Sequence, residues 1–171
     1  MQKEVDRVNL LVENLLNLSR KRDSEKTTVA LKAMGEELVL LYSKIAENKG
    51  VALSIRMEEN LLVLADEQEL RQILINLINN SIKALVNGGE VALYGKRTKE
   101  GVSITVSDNG PGMDEQTLVR ALQGESGGLG LSIVQRLAAQ NGGALQFETI
   151  PGQGTQVILT FHGTGGVNHE I

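Results

Sequence analysis

One stretch of the sequence combines a largely apolar helix with a row of amide side chains and a lysine. When residues 66–86 are placed at the 100° steps of an α-helix, apolar side chains cover more than half of its circumference. Asn76, Asn80 and Lys83 are spaced four and three residues apart, and they therefore project in the same direction. The pattern predicts a buried helix that carries one polar stripe.

Two kinds of neighbour would satisfy this polar stripe. Amide oxygens are hard ligands for Mg²⁺ that add no negative charge, and a lysine nearby can reach an anion that the metal holds. The stripe therefore suits a metal-bound polyphosphate, which carboxylates would repel. A hydrogen-bonded seam against a neighbouring loop explains the same residues equally well, because buried polar groups need partners of some kind.

A second group of residues with chemical potential stands at the end of an apolar strand. The strand 102–107 leads into Asp108, and Gly110 and Gly112 follow at once. An ionised carboxylate only accepts hydrogen bonds, so it would suit an exocyclic amine such as that of adenine. The glycines would let the backbone approach a flat ring. Considered alone, an ordinary Asn-Gly turn with a capping aspartate is the simpler interpretation.

A glycine-rich run over residues 126–131 leads into a predicted helix. Helix N-termini bind anions through their free N–H groups and the helix dipole. The run lacks the Lys-Ser/Thr ending of a P-loop, and no βαβ unit surrounds it as in a dinucleotide-binding fold. By itself it is therefore a weak indicator of phosphate binding.

Apolar periodicity, caps and glycines predict the elements that must position these three groups. In chain order they are an amphipathic helix over 2–22, a linker over 23–28, a short strand over 29–31, a helix over 34–48, strands over 51–56 and 61–64, a helix from the capping Asp66 to 86, strands over 90–96 and 102–107, a loop over 109–128, a helix to 140, and strands over 144–148 and 156–161. Because several strands are linked as hairpins, we expect a mixed sheet with helices on one face.

The composition excludes several classes of protein. The 171 residues include no Cys and two His, which argues against disulfides, thiol catalysis and a multi-histidine metal site. A net charge of −4 and 2% aromatic residues argue against nucleic-acid binding. No apolar run approaches the roughly 20 residues of a membrane span. We therefore expect a cytoplasmic protein without direct membrane contact in this part of the chain.

Taken together and in order, the three groups resemble the sequence boxes of a known family. The segments 76–83 (NLINNSIK), 108–112 (DNGPG) and 128–131 (GLGL) resemble the N, G1 and G2 boxes of sensor histidine kinases, and Gly154-Thr155 resembles the closing Gly-Thr of that family. These kinases belong to the ATPase superfamily that includes DNA gyrase, heat-shock chaperone ATPases and MutL mismatch-repair proteins.

The resemblance implies a fold and a division of the chain. The expected fold is α+β, a two-layer α/β sandwich of the Bergerat type, with a mixed sheet backed by three helices and preceded by a long N-terminal helix. Residues 28–162 would form the catalytic ATP-binding domain. Residues 1–24 resemble the second helix of the dimerisation and phosphotransfer hairpin, and residues 163–171 would be a C-terminal tail.

The resemblance also implies ATP and Mg²⁺ as ligands and assigns roles to individual residues. It gives Asn80 to Mg²⁺ with Asn76 in support, and it turns Lys83 toward the phosphates. The remaining residues of the implied ATP site divide into an adenine group and a phosphate group. The adenine group holds Asp108, Gly110, Gly112 and Thr155, with Thr155 acting through water, and the phosphate group at the lid base holds Gly128, Leu129, Gly130 and Leu131.

The resemblance implies a kinase rather than a hydrolase. Superfamily members that hydrolyse ATP usually carry a glutamate as general base at the position of Asn76, and an amide is a poor base. The acceptor in the family is a histidine in a His-Glu/Asp-x-x-x-Pro context, and neither His162 nor His169 has that context. We therefore expect a fragment that lacks the phosphoacceptor. An ATP hydrolase or serine kinase of the superfamily, and a nucleotide-sensing module without transfer, are the alternatives.

The implied partners are the phosphoacceptor hairpin of the same kinase, a downstream response regulator and a second copy of the chain, bound through residues 2–22. One departure from the family concerns the lid. Residues 113–127 form a shorter lid than is usual and contain no Phe. Either this is a short-lid variant, or loop residues are missing from the chain. A short lid would affect closure over the phosphates.

Overall fold

The computed structural model describes residues 7, 8, 11, 25–124 and 130–163. Its elements are β1 (Lys26–Ala30), α1 (Leu31–Asn48), β2 (Val51–Met57), β3 (Leu62–Asp66), α2 (Glu67–Ala84), β4 (Gly89–Thr98), β5 (Gly101–Asp108), α3 (Glu115–Leu122), α4 (Gly130–Gln140), β6 (Gly143–Ile150) and β7 (Gly154–His162). Residues 7, 8 and 11 are helical. The rest of the predicted helix 2–22 and the tail 164–171 lie outside the described residues.

A five-stranded mixed sheet forms the framework of the molecule. Its strands lie in the order β2-β4-β5-β7-β6, with β2 parallel to β4 and every other pair antiparallel. A separate two-stranded antiparallel ribbon joins β1 to β3. The predicted α+β class with a mixed sheet is therefore confirmed.

The sheet presents one apolar face to α1, α2 and α4. Along β4 the side chains alternate, so that Val91 and Leu93 are buried while Tyr94 lies on the opposite, more exposed face. The core is almost entirely aliphatic. Among the buried hydrophobic residues of the described ranges Phe161 is the one aromatic side chain.

The N-terminus of α2 is fixed by the cap that the sequence predicted. The Asp66 carboxylate accepts a hydrogen bond from the Glu69 N–H at 2.9 Å, and Glu67 and Glu69 place negative charge in the first turn. Both features stabilise a helix N-terminus. The Asn141 side chain, at the end of α4, joins this corner because its Oδ1 accepts from the Asp66 N–H at 2.8 Å. The start of the polar stripe is therefore held at a defined position.

The predicted loop 109–128 is wrong in one respect, because it contains α3. The Asp114 carboxylate accepts a hydrogen bond from the Thr117 N–H at 2.7 Å and caps this eight-residue helix. The flanking glycines masked the signal, and α3 buries none of its side chains. The described residues 25–124 and 130–163 thus contain four helices, of which α1, α2 and α4 back the sheet as expected and α3 is additional. Within those residues no helix has both the length and the apolar character needed to cross a bilayer.

Candidate functional site

Asp108, the last residue of β5, has both carboxylate oxygens held by short hydrogen bonds. Oδ2 accepts from the Ser81 hydroxyl on α2 at 2.9 Å, and Oδ1 accepts from the Gly110 N–H at 2.9 Å. Ser81 is only 6% exposed. The carboxylate is half-buried between α2 and the loop after β5. Because two donors fix it from different sides, its remaining lone pairs have a defined direction.

Three polar side chains form a row across the end of the sheet. Asp108 pairs with Thr155 on β7, and Thr155 pairs with Thr149 on β6. Directly paired residues project from the same face, so the row shares the helix-facing side of the sheet with the buried Val91, which also pairs with Asp108. The Thr149 and Thr155 hydroxyls are 2.9 Å apart.

The loop after Asp108 is hydrogen-bonded to the β6–β7 hairpin. The Gly152 N–H donates to the Pro111 carbonyl at 2.6 Å, and the Met113 N–H donates to Thr149 Oγ1 at 2.8 Å. Gly112 has a φ of 65°, and a Cβ on it would lie 2.1 Å from the Ile150 carbonyl oxygen. This position therefore requires glycine both for its backbone conformation and for the close approach of the two chain segments.

The polar stripe of α2 changes character along the helix. Asn76 is fully buried, and its Oδ1 accepts from Gln72 Nε2 at 2.9 Å. The Nδ2 atom of Asn76 is buried and has no hydrogen-bond partner in the described part of the chain. Asn80, one turn later, is half-buried, and Lys83 is exposed. The stripe therefore runs from a buried amide pair to an exposed cation.

The start of α4 lies against this stripe. Gly130, the first residue of α4, is buried, and a Cβ on it would lie 3.4 Å from Asn80 Oδ1. Leu131 is half-buried beside it. Gly128 and Leu129, the other two residues predicted for this part of the site, lie outside the described residues. A helix N-terminus thus faces the accessible amide of the stripe, an arrangement that suits an anion.

The two halves of the site are joined through neighbouring residues of α2. Asn80 faces α4, and the next residue, Ser81, binds Asp108. The structure therefore brings the carboxylate, the amide stripe and the start of α4 around one helix. Sequence reasoning missed Ser81 and Thr149. Ser81 follows Asn80 directly, and Thr149 is identified only through its strand register with Thr155, which the sequence does not reveal.

The donor chemistry of the site fits a divalent cation that is bound together with its anion. In the described ranges no three His, Cys, Asp or Glu side chains cluster closely enough to hold a metal ion. Asn80 offers a neutral amide oxygen next to a helix N-terminus, and such a site gains most of its negative ligands from phosphate oxygens. Asn76 is less suited to direct ligation, because its oxygen already accepts from Gln72.

Comparisons with known proteins are consistent with one another. Residues 65–164 match the model of the family described as histidine kinase-, DNA gyrase B-, and HSP90-like ATPase. The adaptive-response sensory kinase SasA of Crocosphaera subtropica is 30% identical, with 86% of this chain and 43% of the relative covered. Sporulation kinase B of Bacillus subtilis is 29% identical, with 91% of this chain and 38% of the relative covered. The chain thus spans well under half of the length of these curated relatives.

Solved structures give the same result. The catalytic domain of histidine kinase ThkA superposes with a TM-score of 0.73 at 25% identity, and 82% of this chain and 99% of that chain are covered. Full-length ShkA in complex with AMPPNP gives a TM-score of 0.75 at 29% identity, covering 91% of this chain and 36% of that chain. ThkA in complex with the response regulator protein TrrA gives 0.78 at 25% identity, covering 95% and 49%.

Proposed function

Because the chain belongs to the histidine kinase-, DNA gyrase B- and HSP90-like ATPase family, we propose that it is the ATP-binding catalytic part of a two-component sensor histidine kinase. In this proposal residues 28–162 bind Mg-ATP and transfer its γ-phosphate to a histidine on a helical hairpin of the same kinase. The single observation that carries the proposal is the fixed Asp108 carboxylate at the end of β5. Ser81, on the same helix as the amide stripe, holds it in place.

Asp108 supplies the adenine recognition. Its two oxygens already accept from Ser81 and Gly110, so the carboxylate cannot rotate freely, and its free lone pairs accept the N6 amine of adenine. Gly110 and Gly112 keep the loop close to the ring, and Thr155 lies beside Asp108 in the neighbouring strand. Guanine carries a carbonyl oxygen at C6, and this acceptor would face the acceptor oxygens of Asp108. The carboxylate therefore favours ATP over GTP.

Asn80 and the start of α4 serve the triphosphate. The Asn80 oxygen is the protein ligand of Mg²⁺ in this proposal, and Asn76 supports it from the buried side. Gly130 and Leu131, with Gly128 and Leu129 before them, form the lid base around the phosphates, and Lys83 extends toward the same anions. When bound, Mg²⁺ neutralises the charge that develops on the transferred phosphoryl group.

Asn76 favours phosphoryl transfer over hydrolysis. A general base for water would have to accept a proton, and the Asn76 side chain is a fully buried amide whose oxygen already accepts from Gln72. The γ-phosphate therefore remains until an imidazole is presented to it. His162 is exposed as the last residue of the β7 strand and is not part of a helix, so it does not resemble the acceptor of the family.

The partners follow from the same proposal. One structurally similar protein, histidine kinase ThkA, forms a complex with the response regulator protein TrrA. For this chain we infer a response regulator as the receiver of the phosphate, the hairpin of the same kinase as its donor, and dimerisation through residues 2–22. With ATP as the substrate, we expect the reaction to take place in the cytoplasm.

A transfer experiment tests the proposal. The chain is mixed with a dimeric hairpin that carries a His-Glu/Asp-x-x-x-Pro segment, and γ-labelled ATP and Mg²⁺ are added. We expect acid-labile label on the hairpin histidine. Asp108→Asn serves as the binding-deficient variant, because its NH₂ group would face the donors Ser81 and Gly110 or the adenine amine.

The outcomes separate the candidate functions. Label on the hairpin supports the kinase, and steady release of phosphate without a hairpin would instead identify an ATP hydrolase. ATP binding in calorimetry with neither label nor phosphate release would identify a nucleotide-sensing module. Absence of ATP binding would overturn the adenine assignment together with the function.

A further inference from the structure

Thr149, which the sequence did not single out, occupies a junction between the adenine end of the site and the lid. Its hydroxyl has three neighbours: it accepts from the Met113 N–H at 2.8 Å, lies 2.9 Å from Thr155 Oγ1 and lies 3.3 Å from the Gly154 carbonyl. We propose that this hydroxyl is a positioning group that fixes the base of the lid and sets the hydrogen-bond polarity of Thr155. The inference rests on the proposed function of the site.

The number of protons on the two hydroxyls limits how Thr149 and Thr155 can pair. A hydroxyl has one proton and two lone pairs, and one lone pair of Thr149 is used by Met113. When Thr149 donates to the Gly154 carbonyl, Thr155 must donate to Thr149 and then offers only acceptors to a ligand. When Thr149 donates to Thr155, the Thr155 proton is free to point at the ligand. The direction of this one bond therefore decides what Thr155 presents to the nucleotide or to a bridging water.

Met113 stands at the start of the segment that leads into α3. It directly precedes Asp114, which caps α3, and α3 buries none of its side chains. The loop before it is held by the contact between Pro111 and Gly152 and by the close approach of Gly112 to Ile150. The bond from Met113 to Thr149 is the last of these attachments before α3. Thr149 therefore anchors the chain directly before α3.

These two roles meet in one oxygen atom. Consecutive hydrogen bonds polarise one another. A ligand that fixes the direction of the Thr155–Thr149 bond therefore also changes how strongly Thr149 Oγ1 accepts from the Met113 N–H. Occupancy of the adenine pocket is thereby transmitted to the Met113 amide, directly before α3, without a change of fold.

Thr149→Val tests the inference, since valine keeps the β-branched shape and removes the hydroxyl. The expected results are a faster-exchanging Met113 amide in the absence of nucleotide, and a dissociation constant for ATP raised about three- to tenfold, the loss expected for one or two neutral hydrogen bonds. Nucleotide-dependent slowing of amide exchange in α3 should also disappear. Thr149→Ser keeps the hydroxyl and should restore all three properties.

Thr105→Val is the matched control, because Thr105 lies on the same sheet but pairs with Tyr94 on the opposite face. It should leave exchange and affinity unchanged. If Thr149→Val behaves like this control, the inference is overturned. Should the valine variant unfold, the wild-type chain still decides: a Met113 amide that exchanges as fast as an exposed loop would overturn the inference. If the wild-type chain binds no ATP, the proposed function is contradicted. The exchange rate of the Met113 amide without nucleotide would still show whether Thr149 holds it.

Discussion

The hydroxyl of Ser81 lies 2.9 Å from Oδ2 of Asp108 and donates to it, which joins the middle of α2 to the end of β5. Ser81 directly follows Asn80, so one residue of the helix binds the Asp108 carboxylate while its neighbour faces α4. A hydrogen bond to an ionised acceptor is stronger than a neutral one, and this one is largely shielded from solvent. We therefore expect the pair to contribute to nucleotide affinity.

Replacing Ser81 by Ala should weaken ATP binding about tenfold, because a hydrogen bond to a charged group contributes about 1.5–3 kcal/mol and water replaces part of it. Isothermal calorimetry measures the loss. Ser103→Ala is the control, since Ser103 is equally buried and lies on β5 but not at the site. Equal affinities of the two variants would contradict a role for Ser81 in holding Asp108.

Asn80→Ala should remove the dependence of ATP affinity on Mg²⁺, because the accessible amide oxygen of the stripe is lost. The measurement is calorimetry with and without Mg²⁺ in wild type and variant. Asn79→Ala, one residue earlier and also half-buried, is the control and should keep the Mg²⁺ effect. Tightening of ATP by Mg²⁺ in the Asn80 variant would show that the metal is held elsewhere.

Gly112→Ala should destabilise the fold far more than Gly142→Ala. Both glycines have positive φ, and an alanine in that region costs about 1–2 kcal/mol. A Cβ on Gly142 would meet open space, whereas one on Gly112 would lie 2.1 Å from the Ile150 carbonyl and would force the loop off the hairpin. We expect a total loss of about 3 kcal/mol or more in urea unfolding of Gly112→Ala. Similar losses in both variants would refute the close contact.

Acid should weaken the N-terminal cap of α3. The pKa of Asp114 lies below its ordinary value because its carboxylate accepts hydrogen bonds from the Thr117 side chain and from the Thr117 backbone N–H. A lowered pKa in the folded state means that the cap stabilises α3 at neutral pH, and that this contribution is lost as the pH falls through the folded pKa.

The Thr117 amide shift reports this titration directly. In wild type it should move only at a pH below the ordinary value of an aspartate, with α3 signals losing helical character at the same point. In Asp114→Asn the cap persists without a titrating group, so the shift should stay constant. A wild-type titration at or above the ordinary value would contradict the structure at this cap.

Local signals made much of this architecture predictable. Asp66 before an apolar-periodic segment gave the start of α2, and strict alternation gave the antiparallel pair β4 and β5, because both effects act over a few residues. Helix α3 was missed since the glycines around it suggested a continuous loop, although Asp114 and Thr117 form a local cap.

The contacts of the site join residues that are far apart in the sequence or in different elements, and local sequence patterns do not predict such contacts. Ser81 meets Asp108 only because α2 crosses the end of β5, and Thr149 meets Thr155 only because of the β6–β7 register. The predicted residues Asn80 and Gly130 are brought together by the packing of α2 against α4. Their predicted roles toward Mg²⁺ and phosphate stay predictions that the binding experiments test.

The strand order has a consequence for the kinetics of folding. The β4–β5 and β6–β7 pairs join neighbouring segments of chain, and such local pairings close quickly. The edge strand β2 and its parallel partner β4 are separated in the sequence by β3 and α2. Closing this longer loop costs conformational entropy before any pairing energy is gained. We therefore expect β2 to dock late, and substitutions along it to accelerate unfolding more than they slow folding.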